Sequence, residues 1–137
     1  MAIVAAAVVA SPATLKLSTA KAGAKNVGVY VTFTTELQCG QPRSPVTVTW
    51  PGSSTASIDS TAVRLNGQAA GVVVVQGHAV TVKAAVGEVM CQSIVVGPLK
   101  IAFARSAGLS NPQRPGVYVV RVRTGDTTAS GRIRIRR

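Results

Sequence analysis

Apolar and polar residues alternate along most of this chain in short runs, and turn clusters separate the runs at intervals too brief for helices. The clearest run is 27–35, where Val27, Val29, Val31 and Phe33 share one face under period-two alternation. Leu15 and Leu17 alternate with polar neighbours before it, until Ala22-Gly23-Ala24 interrupts. Residues 36–45 read as a loop carrying Cys39, Gly40 and Pro42, and 46–50 (Val-Thr-Val-Thr-Trp) resume the alternation. Pro51-Gly52 stops it, because proline pre-sets one dihedral and glycine tolerates the left-handed one. Residues 58–65 lead into Asn66-Gly67, the dipeptide best suited to a tight type I′ hairpin. Residues 72–75 and 79–82 flank a second tight turn at Gly77-His78, and 91–96 and 99–103 read as two strands parted by Gly97-Pro98.

The last third carries the most distinctive pattern. A Pro/Gly-punctuated corner from Gly108 through Asn111-Pro112 to Pro115-Gly116 runs into a strand in which Tyr118, Val120 and Val122 take one face and Val119, Arg121 and Arg123 the other. Residues 124–131 read as the turn that follows, after which Ile133 and Ile135 alternate with Arg132, Arg134 and Arg136. If these two strands pair, their five arginines line one outward face. No segment shows a sustained helical period with caps, and 137 residues suit one domain. The expected class is therefore all-β, a single antiparallel sandwich or barrel.

The N-terminus is different in kind. Ala2 to Ala10 form an unbroken apolar run followed by Ser11-Pro12-Ala13, the order of an h-region and cleavage site in a secretory signal. The competing expectation is that residues 1–13 stay in place as an apolar strand or arm, with the domain proper at 14–137. The run is too short to span a bilayer, so no transmembrane segment is expected. Secretion also bears on Cys39 and Cys91, which lack the close spacing of metal sites. Outside the cell two such thiols usually pair, and a bridge closing a loop of about 50 residues contributes roughly 3–4 kcal/mol on chain-entropy grounds.

The motifs in order resemble a bacterial secreted Ig-like β-sandwich module of the kind found on surface and S-layer-associated proteins. They are Ala22-Gly23-Ala24 before Tyr30-Val31-Thr32-Phe33-Thr34-Thr35, Val46 to Gly52, Val63-Arg64-Leu65-Asn66-Gly67-Gln68-Ala69, and Ala107 to Pro112 leading to Pro115-Gly116-Val117-Tyr118. The resemblance implies an Ig-like Greek-key fold and a secreted or cell-surface, non-enzymatic structural or adhesive duty. This chain departs from that pattern in being a lone copy, in its two cysteines and in its basicity.

Charge turns the expectation toward a partner. Fifteen Lys+Arg against four Asp+Glu give a net charge of +11, a field that attracts anionic wall polymer, nucleic acid or membrane surface. Specific nucleic-acid binding is not expected, since single-strand recognition wants exposed aromatic platforms and Tyr30, Phe33, Trp50, Phe103 and Tyr118 mostly suit core packing. Catalytic inventory is thin: His78 stands alone, and Glu36, Asp59, Glu88 and Asp126 are scattered, so neither a catalytic residue, a metal site nor a cofactor is expected. The candidate polyanion-binding residues are Arg121, Arg123, Arg132, Arg134 and Arg136, with anionic cell-wall or surface polymer as the partner. An alternative is self-association into an extracellular filament by strand addition at an open sheet edge. A weaker one is carbohydrate binding at Trp50.

Overall fold

Hydrogen bonding turns the alternation into a single curled path of strands, seen in a computed structural model that describes residues 9–85 and 92–137. The strands are β1 (Val9–Pro12), β2 (Thr14–Leu17), β3 (Val29–Gln38), β4 (Gln41–Pro42), β5 (Val46–Thr49), β6 (Val63–Leu65), β7 (Gln68–Gln76), β8 (Ala79–Ala84), β9 (Ile94–Phe103), β10 (Gly116–Thr124) and β11 (Thr127–Ile135). Short 3-10 helices lie at Ser60–Ala62 and Arg105–Ala107. Spatial order along the path is β1-β11-β10-β5-β8-β7-β6-β9-β3-β2, with β4 on β3.

Two strands carry the chain from one half of this path to the other. The first residues of β7 pair with β6, and from Ala70 onward it pairs with β8, with a bulge between Ala70 and Val72. On the opposite side β1 pairs with β11 and, one residue later, β2 pairs with β3. Ala13 bridges these two by donating its N–H to Ser130 O at 2.9 Å. Gly131 faces this crossing so closely that a Cβ there would strike the Ala13 carbonyl oxygen. The result is a nearly closed, barrel-like all-β fold around one core.

That core takes the inward side of the alternation. Val29, Val31, Phe33 and Leu37 of β3, Leu99, Ile101 and Phe103 of β9, Val46 and Val48 of β5, and Val120 and Val122 of β10 are all buried in one cluster. Burial of this kind is worth about 25 cal/mol per Å² of apolar surface removed from water, and it is the main term holding the halves together.

Several expectations are corrected. Residues 58–62 do not form a strand: Asp59 caps a 3-10 turn, accepting the backbone N–H of Thr61 at 2.9 Å and its hydroxyl at 2.8 Å. These bonds hold the Asp59 carboxyl below the usual carboxylate range, the backbone bond contributing most. The stabilisation is present at neutral pH and is lost as the pH falls through that lowered pKa. Gly97-Pro98 does not break β9, which runs through it. Proline removes a donor, but β6 pairs β9 only opposite Ile101 to Phe103, so at Pro98 the second edge of β9 is open and no ladder bond is lost. The turn expected at 124–131 shrinks to Gly125-Asp126, with Thr124 opposite Thr127. One pairing, β1 with β11, is parallel rather than antiparallel. Asn66-Gly67 fulfils its hairpin signal, both residues having positive φ (49° and 85°) between the paired Leu65 and Gln68.

The Gly108 to Gly116 corner ties the barrel's end together. Leu109 is buried, and its carbonyl accepts from Val27 N–H at 2.8 Å. Asn111, also buried, donates Nδ2–H to the carbonyls of Thr19 and Lys21, each at 2.9 Å. Ser110 O accepts the indole N–H of Trp50 at 2.9 Å.

Candidate functional site: the arginine face of β10 and β11

The two strands form an uninterrupted antiparallel ladder from Gly116 opposite Ile135 to Thr124 opposite Thr127. Val120 and Val122 of β10, and Ala129, Ile133 and Ile135 of β11, point into the core. Alternation therefore sends Arg121, Arg123, Arg132, Arg134 and Arg136 outward, and all five are exposed. The structure brings together on one face every arginine that the sequence pattern singled out.

No two of these arginines stand directly opposite one another. Arg121 faces Ser130 on one side and Thr49 on the other; Arg123 faces Thr128 and Thr47. Arg132 faces Val119 and Arg134 faces Val117. Like charges directly across a strand pair are destabilising, and this stagger avoids them. Val117 and Val119 are about half exposed, and the aliphatic stems of arginines can lie along such surface while the charged heads stay in water. Across β5 and β8 the face continues through Thr47, Thr49, Thr81 and Lys83 with no acidic residue on any of these strands.

No group among the described residues neutralises the five charges. Glu36–Arg43, at 3.5 Å, is the one ion pair there, and it involves none of the five. The guanidinium donors point to solvent. Successive outward positions on one strand are about 7 Å apart and adjacent strands about 5 Å apart, so the face is a two-row ladder of positive charge.

The other candidates fall elsewhere. Trp50 is 1 % exposed with its indole bonded to Ser110, which removes it as a carbohydrate platform. His78 holds the end of β5, its Nδ1 lying 3.0 Å from Trp50 O and 2.9 Å from Gly52 O. Asp59 is used as a cap. Glu88 lies outside the described residues, whereas Glu36 and Asp126 line one groove. No three His, Cys, Asp or Glu among the described residues are grouped to hold a metal ion. No helix there is long and apolar enough to cross a membrane. Cys39 sits in the turn between β3 and β4, and Cys91 lies outside the described residues. The β3–β9 ladder continues one step past Gln38, since Cys39 N–H donates to Ser93 O at 3.2 Å.

Sequence reading missed the groove, although a signal was there. Thr35 and Thr124 are polar residues at inward positions of their strands, where the pattern otherwise demands valine or phenylalanine.

The geometry thus defines an all-β, barrel-like protein presenting a cationic sheet face. No protein-family model matches the chain, and no curated protein matches it. Among solved structures it is similar in fold to BslA, described as a bacterial hydrophobin, with a TM-score of 0.53 and 14% identity. The likeness covers 93% of this chain and 97% of that one.

Proposed function

We infer that this chain is a non-catalytic, extracellular Ig-like structural module that holds anionic polymer of the cell surface on its arginine face. The observation that carries the reading is the five exposed arginines on one sheet face, with no described carboxylate pairing with them. The likeness in fold to a bacterial hydrophobin agrees with a structural, non-catalytic duty. An extended two-row ladder of charge suits an extended polyanion better than a compact ligand, because many weak contacts are made at once.

Replacing the five arginines by glutamine is expected to weaken binding to isolated cell-wall material at low salt by on the order of 10- to 100-fold. That figure corresponds to about 0.3–0.6 kcal/mol for each of the five exposed contacts, in the lower half of the roughly 0.2–1 kcal/mol such contacts contribute. Binding of the unaltered protein should fall steeply as ionic strength rises. A control in which Lys16, Arg64 and Lys100, on other strands, become glutamine should change it little. Retention unaffected by salt, or by the five substitutions, would overturn the reading.

Assembly into a filament by strand addition is the second reading. The β11 edge is already occupied by the chain's own β1, so a neighbouring copy could add there only by displacing it. The second edge of β9 near Pro98 stays open to such pairing, and the polymer-holding function is preferred on the strength of the arginine face.

A Cys39–Cys91 bridge belongs to the same extracellular reading. Continuation of the β3–β9 ladder to Ser93 brings the chain two residues from Cys91 alongside Cys39. Alkylation of the unreduced, denatured protein is expected to label neither cysteine, and labelling of both would refute the bridge. Reduction should lower stability by roughly 3–4 kcal/mol.

A further inference from the structure

The inward face of the barrel changes character toward one end. Along β3 the inward residues run Val29, Val31 and Phe33, then Thr35 before Leu37; along β10 they run Val120, Val122 and then Thr124. Gly97, opposite Thr35 on β9, contributes no side chain. Beside these two threonines a groove of about 570 Å³ lies between Thr34, Thr35, Glu36 and Val96 on one side and Thr124, Gly125, Asp126 and Thr127 on the other, with Arg43 and Ser44 at its margin. That size falls among small-ligand sites, roughly 300–1,000 Å³.

Its floor is built and fixed. Thr35 and Thr124 are each 5 % exposed, and with Asn111 they are the three buried polar residues of the described chain. Thr35 Oγ1 donates to Thr127 Oγ1 at 2.9 Å across the two halves, and Thr124 Oγ1 donates to Ser44 O at 3.1 Å. Having accepted one proton, the Thr127 hydroxyl keeps its own to donate. The rim holds two of the four acidic residues in a chain of charge +11. Glu36 is tied to Arg43, while Asp126 has no basic partner within 4 Å among the described residues.

The geometry points to a binding site here for a neutral saccharide segment. A sugar hydroxyl can donate to the Asp126 carboxylate and accept from Thr127 or Arg43 at the same time, which a purely cationic or purely anionic ligand cannot. The methyl groups of Val96, 70 % exposed, offer an apolar wall to the C–H face of a ring. Anionic sugars meet the unpaired Asp126 carboxylate and are disfavoured. The site is separate from the arginine face and uses none of its five residues.

The test is titration of the isotopically labelled protein with cellotriose, triacetylchitotriose and trigalacturonic acid, read by amide chemical shifts. At least one of the two neutral trisaccharides is expected to move the amides of residues 34–36 and 124–127 along a saturating curve. Asp126→Asn and Thr127→Val should each weaken that curve several-fold. The exposed turn position of Asp126 keeps the first variant folded even if the second is not. The five-arginine variant should bind the same neutral sugar unchanged, so failure of the polymer reading and failure of this one are told apart. No saturable shift at these amides with either neutral sugar, a response to trigalacturonic acid alone, or unchanged binding by Asp126→Asn would overturn the proposal.

Discussion

Gly52→Ala is expected to lower the stability of this protein by roughly 3–5 kcal/mol, combining overpacking with loss of a buried hydrogen bond. Gly52 is buried, and a Cβ placed on it would run into the Ser110 carbonyl oxygen while lying 2.8 Å from the indole nitrogen of Trp50. Ser110 O is the acceptor for that indole at 2.9 Å and for Ser53 N–H at 3.2 Å, so the extra methyl strikes the joint that ties β5 to the corner. The backbone of Gly52 is not left-handed, and the requirement for glycine is one of space alone. Gly67→Ala provides the contrast. A Cβ there meets nothing within 4 Å, and only its φ of 85° opposes it, at a cost of about 1–2 kcal/mol. Urea unfolding of both variants checks the difference. Fluorescence of the single tryptophan should shift to the red in Gly52→Ala and not in Gly67→Ala.

The second large effect is expected at Asn111. Its two Nδ2 hydrogens satisfy the carbonyls of Thr19 and Lys21, and its Oδ1 is buried without a hydrogen-bond partner. Asn111→Leu removes both donors from the two carbonyls, at a cost of roughly 2–4 kcal/mol for two bonds. Asn111→Asp is expected to be worse at neutral pH, since it sets an acceptor-only carboxylate against two carbonyl oxygens in a buried site. Burial of that kind raises the carboxyl pKa in the folded state. The Asn111→Asp variant should accordingly recover stability as the pH is lowered and lose it as the pH rises through the raised pKa. Thermal melts of both variants between acid and neutral pH measure this. If Asn111→Asp proves no less stable than Asn111→Leu at neutral pH, the account of the corner does not hold.

The period-two pattern made most of the strands legible, because one face of each is buried in a single core and the other is wet. Val29 to Phe33, Val46 to Val48 and Val120 to Val122 are placed as their alternation requires. The arginine face followed by the same logic once β10 and β11 pair. Other features depend on partners that a sequence does not reveal. Pro98 sits inside a strand because β6 happens to be short on that side. Gly52 is a glycine because of Ser110, far away in the chain. The groove stayed hidden for the same reason: the pair Thr35-Glu36 and the pair Asp126-Thr127 are far apart in sequence, and only the meeting of β3 with the β10–β11 turn makes them neighbours.

The parallel ladder of β1 on β11 has a consequence for how the chain assembles. The hairpins β6–β7, β7–β8 and β10–β11 close loops of two residues and can form within microseconds, but Val9 must find Thr127 across nearly the whole described chain. Loop-closure entropy places that encounter late, after the local hairpins have shortened the effective distance. Until β11 has been synthesised, β1 has no strand to join. The chain consequently stays open until β11 arrives, and only then becomes a closed body.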